Sequence, residues 1–509
     1  MLASVWSGGL YGLDGYPVHI EVDCSAGLPY WEIVGLPDAA VKESRERVRS
    51  AMRNSGFAYP TGRIIVNMAP ADQRKEGPIY DLAIAVGMLK VSGQLESGAF
   101  ADALFFGELS LNGEVRPIRG ILPMVIDAKA RGAGVVFLPA ENAPEAAYVE
   151  GIRVIPVATL AEVAEILKGE RQPIYAAAQP FRPDAQPGGG VDFRAIKGQA
   201  QAKRAMEIAV AGGHNILLIG SPGAGKTMLA RAIPSIMPEL SFEEALEITK
   251  IHSIAGELRG EPMIASRPFR SPHHSASMAA LIGGGSKARP GEVSLAHGGV
   301  LFLDELPEFR RETLEALRQP MEDGFVSVAR ANAKVEYPAR FMLAASMNPC
   351  PCGYYGDAER QCRCTPHQIS RYLARISSPL LDRIDLHIEV SRPSYAELER
   401  PAAEESSREV KRRVDTARTL QRERYRAVGI FSNSQLKGEL LEEYCPLSPG
   451  AQALLQQAFS VMKLSARAYT RIRMVARTIA DLAGEAQIRE EHLAEAIQYR
   501  TLDRKYWGG

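Results

Sequence analysis

Apolar positions fall into two rhythms along this chain. Short unbroken runs mark its middle: "ILLI" at Ile216–Ile219, "VLFL" at Val300–Leu303 and "FMLAASM" ending at Met347, each flanked by glycine or polar residues. Runs of that length, apolar at nearly every position, predict strands buried on both faces, as a parallel sheet covered by helices requires. Toward the C-terminus the spacing becomes helical in "GAQALLQQAF" and "RMVARTIADLAG". Ahead of them "EESSREVKRRVDTARTLQRERY" is polar on most faces, which predicts an exposed helix. A stretch of alternating apolar and polar residues, "GFVSVARANAKVEYPARF", predicts a β-hairpin. The segment "QPIYAAAQPFRPDAQPGGGV" has no apolar period and is rich in proline and glycine, so it reads as a linker. The chain thus divides into an α/β region at 1–171, a linker at 172–191, a second α/β region at 192–395 and a mostly helical domain at 396–509.

Composition changes this picture little. At 509 residues the chain suits about three domains and buries ample apolar surface without disulfides. Lys plus Arg is 60 and Asp plus Glu is 60, so binding to nucleic acid has to come from local patches, not from a global basic field. No apolar run is long enough to span a membrane, and the N-terminus lacks the basic start of a secretory signal. A soluble, cytoplasmic protein is expected.

Candidate chemistry begins where the first run ends. Gly220, Ser221, Pro222, Gly223, Ala224, Gly225, Lys226 and Thr227 match the pattern GxxxxGK[ST], between a predicted strand and a predicted helix. Glycines let backbone N–H groups converge on phosphate oxygens, Lys226 reaches the β and γ phosphates, and Thr227 ligates Mg²⁺. The second run ends in Asp304 and Glu305. Asp304 is expected to hold the magnesium through water and Glu305 to polarise the attacking water. The third ends in Asn348, placed to position the same water, because ligands of parallel sheets bind at the carboxyl ends of the strands.

In their order along the chain, "GSPGAGKTMLA", "RPFRSPHHSAS", "GEVSLAHGGVLFLDELPEF", "MNPCPCGYYGD" and "SPLLDRIDLHIEV" resemble the AAA+ ATPases of the magnesium-chelatase type, in particular the ComM/YifB family. The resemblance implies an AAA+ P-loop ATPase core with a helical C-terminal lid, working with ATP and Mg²⁺ in a homo-hexameric ring. It places an arginine finger, acting on the neighbouring subunit's nucleotide, at Arg383 with Arg375 as the competitor, and a sensor arginine at Arg467 in "LSARAYTRIRMVARTIADL". Arg471 and Arg477 share that helix, whose basic face reads equally as a solvated surface. Residues 1–171 resemble the Lon-protease fold (ribosomal protein S5 domain 2-like) through "KEGPIYDLAIAVGML" and "GELSLNGEVRPIRGILPMVIDAKARG". The family's serine and lysine positions hold Ile79 and Met124, which can act neither as nucleophile nor as base. Arg45, Arg47 and Arg49, on a predicted helix of that region, are either pore-lining or a solvated face.

Two functional readings follow. ComM resemblance implies a DNA translocase or helicase that promotes branch migration of recombination intermediates in natural transformation. Chelatase resemblance implies a motor that remodels a protein partner, without DNA. Arg267, Arg270, His273, His274, Lys287 and Arg289 lie in a Gly- and Pro-rich stretch with one acidic residue, and Arg330, Asn332 and Lys334 sit on the predicted hairpin. Both are expected to be loops suited to sliding on a phosphate backbone of single-stranded, forked or branched DNA. Four of the six cysteines, Cys350, Cys352, Cys362 and Cys364, form two C-x-C pairs. Such a set suits structural Zn²⁺, with a redox pair or free thiols as alternatives.

Overall fold

The computed structural model describes the chain except residues 97, 99, 185–190, 259, 286–287, 331–332, 358, 394–404, 463 and 508–509, and the side chains of 329, 330 and 333. Lys287, Asn332, the Arg330 side chain, part of the linker and the boundary expected at 395 therefore lie outside the described residues. Two compact units form, Met1–Arg182 with Ala245–Ile264, and Pro183–Glu244 with Ala265–Gly509. Among the described residues no helix is long and apolar enough to cross a membrane.

The first unit is built on a mixed seven-stranded sheet. Strands β1 (Leu2–Tyr11), β2 (Asp14–Ser25), β3 (Tyr30–Val34), β4 (Arg63–Ala69), β5 (Leu104–Phe105), β6 (Val135–Pro139) and β7 (Arg153–Val157) lie in the order β3-β4-β2-β1-β5-β6-β7. The β1–β2 hairpin is antiparallel, whereas β1, β5, β6 and β7 run parallel. Helix Asp81–Val91 is apolar nearly all round and accordingly buried. The segment Ala245–Ile264 joins this unit through polar bonds as well: the Ser253 hydroxyl donates to Glu145 at 3.0 Å. Sequence reading assigned that segment to the ATPase region, because helical periodicity does not say which core a helix joins.

The second unit centres on five strands, β8 (Ile216–Ile219), β9 (Phe269–Arg270), β10 (Val300–Leu303), β11 (Met342–Met347) and β12 (Leu386–Glu389). They pair in parallel in the order β9-β10-β11-β8-β12. β8, β10 and β11 are buried at every position, as their largely apolar runs require. The alternating stretch forms the expected hairpin, Phe325–Arg330 paired with Ala333–Pro338.

The C-terminal helices share one hydrophobic core with this sheet: Val410, Val414, Tyr425, Ile472 and Val475 pack in the same cluster as Ile216, Leu218 and Phe302. Helix Ser407–Arg424, expected to be exposed, buries Val410, Val414, Ala417 and Gln421, a narrow stripe hidden among charges. Gln421 is satisfied there by the Ala211 carbonyl and the Asn433 N–H. On helix Ala466–Leu482 the basic residues are not one solvated face. Arg477 is buried and donates to Asp481 and to the Glu485 and Ala486 carbonyls, while Arg471 pairs with Asp385 at 3.1 Å. Burial alone would push the Asp385 carboxyl up, but Arg471 and His214 hold it down at about 2. A carboxylate this deep needs such partners.

Candidate active site

Strand register assembles the site. Ile219 of β8 lies opposite Met347 of β11, so the next pair along is Gly220 and Asn348. Leu303 of β10 lies opposite Ala345, so Asp304 falls beside Ser346. Three strand ends thereby deliver the phosphate loop, the acidic pair and Asn348 to one place. They line a cavity of about 400 Å³ bounded by Pro222 to Met228, Asp304, Glu305 and Ser346 to Asn348.

Gly223 and Gly225 have φ of +80° and +90°, and a Cβ would meet nothing within 4 Å at either. Glycine is needed there for the left-handed backbone, not for space. The loop then turns into helix Lys226–Ala232. The Lys226 ammonium donates to the Gly220 carbonyl at 2.7 Å, the Ser221 carbonyl at 3.1 Å and Asn348 Oδ1 at 3.1 Å. All three of its protons are thus engaged. Burial pushes its pKa down to about 8, against the opposing pull of Asp304 and Glu305.

The Thr227 hydroxyl donates to Asp304 Oδ2 at 2.9 Å, which brings together the two residues predicted to flank magnesium. Asp304 Oδ1 accepts from the Ser346 hydroxyl and from the Glu305 N–H at 3.0 Å. Hard oxygen donors beside a lysine suit a Mg²⁺–triphosphate, in which the nucleotide supplies most of the remaining ligands. Glu305 has φ of +55°, uncommon for a residue with a side chain, and its carboxylate is 57 % exposed. His274 Nδ1 lies 3.7 Å from that carboxylate. Sequence reading missed Ser346, whose signal was a lone hydroxyl in an otherwise apolar strand, and assigned His274 to a DNA loop instead of to Glu305.

The arginines separate clearly. Arg383 is buried, its side chain 4 % exposed, and is bonded to Glu322 and the Pro379 carbonyl; burial pulls its pKa down. Within this chain, then, Arg383 is turned inward and engaged, not extended toward solvent. Its partner is neither Asp382 nor Asp385, the acids nearest in sequence. Arg375 is 51 % exposed and donates to the Glu308 carboxylate at 2.9 Å. Arg467 is exposed at the first turn of its helix, and no bond from it to the cavity is observed.

Two of the loop cations are engaged inside the unit. Arg267 is buried and stitches Pro238, Glu239, Gly298 and Glu244 together, and Arg270 forms a two-bond pair with Glu292. Both are structural. His273, Arg289 and Lys334 remain toward solvent, Lys334 beside Glu336 at 3.0 Å. In the first unit Arg47 is bonded to buried Asp81 at 2.6 Å and Arg49 lies over the Tyr59 ring, so of Arg45, Arg47 and Arg49 only Arg45 is fully exposed. Ile79 packs against the core and Met124 lies within it.

The four cysteine sulfurs all lie within 4.8 Å of one another. Distances of 3.4 Å for Cys350–Cys352, 3.7 Å for Cys350–Cys362 and 3.6 Å for Cys352–Cys362 are far too long for disulfides.

Residues 192–398 match the family model described as magnesium chelatase, subunit ChlI. Residues 20–142 match the model for subunit ChlI of Mg-chelatase, and 404–500 the ChlI C-terminal model. The chain is 44 % identical over 505 residues to a YifB protein of Salmonella typhimurium, covering 99 % of this chain and 98 % of that one. It is 44 % identical over 507 residues to the competence protein ComM of Haemophilus influenzae, with the same coverage of 99 % and 98 %. A shorter likeness, 32 % identity over 125 residues, links 24 % of the chain to 22 % of Lon protease 2 of Bacillus subtilis. With a phosphate loop, acidic pair and polar strand end converging as an AAA+-type ATPase requires, the chain belongs to the YifB/ComM family of magnesium-chelatase-like proteins.

Proposed function

We propose that the chain is one subunit of a homo-hexameric, ATP-hydrolysing ring in the cytoplasm that translocates on DNA and drives branch migration of recombination intermediates, as in natural transformation. The observation that carries the motor reading is the convergence of Lys226, Thr227, Asp304, Glu305 and Asn348 at three adjacent strand ends. ATP and Mg²⁺ are its working ligands, with a structural Zn²⁺ on the four cysteines. Glu305 polarises the attacking water, Asn348 positions it, and Arg375, exposed beside the acidic pair's own loop, acts across the interface. Arg467 serves as the sensor arginine at a nucleotide.

Support for DNA as the track is the near full-length likeness to a protein named for competence. Outward-facing His273, Arg289 and Lys334 suit backbone contact, and His274, next to His273, lies against Glu305, so one loop touches both track and catalytic carboxylate. The first unit is a scaffold or DNA-binding ring without peptidase activity, because Ile79 and Met124 have no chemistry to offer. A remodelling motor for a protein partner is the second reading, favoured by the internal engagement of Arg267 and Arg270.

ATP hydrolysis with and without single-stranded and forked DNA decides between them. Salt-sensitive stimulation by DNA is expected; absence of both stimulation and binding removes the DNA reading. Glu305→Gln should bind ATP normally and lose about 10²- to 10⁴-fold in kcat, and normal turnover by this variant would refute the role given to Glu305.

A further inference from the structure

We infer that Cys350, Cys352, Cys362 and Cys364 bind one Zn²⁺ per chain and that this metal positions the nucleotide site for hydrolysis. The inference rests on the ATPase reading of the cavity, not on the DNA reading.

The geometry of the sulfurs comes first. Tetrahedral Zn²⁺ with Zn–S bonds of about 2.3 Å sets its sulfurs about 3.8 Å apart. The three measured separations, 3.4 to 3.7 Å, lie just inside that spacing. Peptide N–H groups also converge on the sulfurs. Peptide N–H groups of Tyr354 and Tyr355 bond to Cys350, those of Tyr354 and Arg363 to Cys352, and that of Cys364 to Cys362 at 3.4 Å. N–H groups turned onto the sulfurs of a C-x-C turn are the outer shell a metal thiolate needs. Four thiolates with no other ligand close the coordination sphere, so the metal is structural, not catalytic.

What the metal holds follows from where the loop lies. Between Cys350 and Cys364 only Cys350 and Gly353 are buried among the described residues; the rest are exposed or partly exposed. Apolar burial therefore cannot fix this segment, yet it presses on the phosphate loop. Gly353 has φ of +85°, and a Cβ on it would stand 2.5 Å from Pro222 Cδ and 2.7 Å from Cγ. Asp357 bonds to the Ser221 hydroxyl. Arg392 donates to the Pro222 carbonyl at 2.7 Å and lies over the Tyr354 ring at 5.6 Å. Cys350 follows Asn348 by two residues, so the metal anchors the strand end that receives the Lys226 proton. On its far side the loop meets helix Thr501–Trp507 through Tyr355 and Tyr506, whose rings are 6.3 Å apart. The metal thus clamps a polar loop between that helix and the phosphate loop.

The test uses full-length protein and its basal ATPase, measured without DNA. Elemental analysis should find about one zinc per chain. Release with a mercurial thiol reagent should free the metal to a colorimetric chelator and lower kcat about tenfold or more, with re-addition of zinc chloride after thiol treatment restoring it. ATP affinity should change by less than about threefold, since Lys226 and the loop N–H groups remain. Cys362→Ser with Cys364→Ser should lose the metal. Should that variant not fold, Gly353→Ala answers instead: it keeps all four ligands and full zinc content, yet should lose about tenfold in kcat at nearly unchanged ATP affinity. Less than half an equivalent of zinc, iron in its place, or four thiols freely titrated in the native protein would overturn the metal assignment. Zinc that is present but whose removal, like Gly353→Ala, leaves kcat unchanged would overturn the positioning role. A protein that hydrolyses ATP with zinc dependence but ignores DNA would sink the DNA reading alone.

Discussion

In the first unit, the positions where the resemblance to a peptidase leads one to expect nucleophile and base hold Ile79, packed against an apolar core, and Met124, within one. In the second, each position that matches a nucleotide site holds a group able to do its part, and the groups find one another: Lys226 with Asn348, Thr227 with Asp304, Ser346 with Asp304. Keeping a half-buried ammonium and carboxylate is costly unless their donors and acceptors are met, and here they are. An isoleucine and a methionine carry no such demand and simply add to packing. Likeness of fold therefore reaches both units, whereas likeness of chemistry can be argued only where the polar constellation survives.

The sharpest way to break that contrast is to remove the lysine. Lys226→Ala should abolish nucleotide binding and hydrolysis, measured by fluorescent-nucleotide titration and phosphate release; turnover that survives the substitution would refute the role given to Lys226. Next in size is the arginine comparison. Arg375→Ala should lower kcat by about 10³-fold with an unchanged melting temperature, the loss expected for a cation that acts on transition-state charge. Arg383→Ala should instead lower the melting temperature, because it leaves Glu322 without its buried partner. Mixing Arg375→Ala with Lys226→Ala subunits should recover partial activity, since some interfaces then pair an intact phosphate loop with an intact arginine.

The first unit should respond in stability alone. Met124→Ala removes a fully enclosed side chain and should cost about 2–5 kcal/mol of unfolding free energy, followed by chemical denaturation, with the ATPase rate per folded subunit unchanged. A loss of hydrolysis at full stability would give this core a role in the motor cycle.

What was legible in the sequence and what was not divides along the same physical line. The strands Ile216–Ile219, Val300–Leu303 and Met342–Met347 and the phosphate loop are written in local patterns, an apolar run, a glycine spacing, a lysine, and these patterns need no partner to be read. Residues whose role depends on a distant partner were misread. Arg267 looked like a free loop cation because Glu244 lies 23 residues away, and nothing near Arg383 in sequence pointed to Glu322, 61 residues away. Gln421 was counted as a polar surface residue although the Ala211 carbonyl and Asn433 N–H complete it inside the core. Ala245–Ile264 was assigned by neighbourhood in sequence and packs with the other unit. Charge in a sequence marks where a bond will be made, and only the fold says with whom.

The smallest effect, and the most direct probe of the retained constellation, is the titration of Lys226. Burial lowers its pKa to about 8 from the usual 10.5. Below pH 8 the ammonium is charged in folded and unfolded chain alike, and the fold bears the whole cost of burying it. Between pH 8 and 10.5 the unfolded lysine holds the proton that the folded one releases, so this group makes stability rise with pH across that window. ATP binding has the opposite sign. Phosphate oxygens need the protonated lysine, so above pH 8 the nucleotide must draw a proton from solvent as it binds. Its dissociation constant should therefore climb by about tenfold per pH unit beyond that point. Titration of a non-hydrolysable ATP analogue between pH 7 and 9, with proton uptake read from buffers of different ionisation heat, measures this directly. Flat affinity and no uptake would show that the carbonyls of Gly220 and Ser221, together with Asn348, Asp304 and Glu305, keep the ammonium charged throughout. The price of burying it would then fall on those polar partners and not on its protonation state.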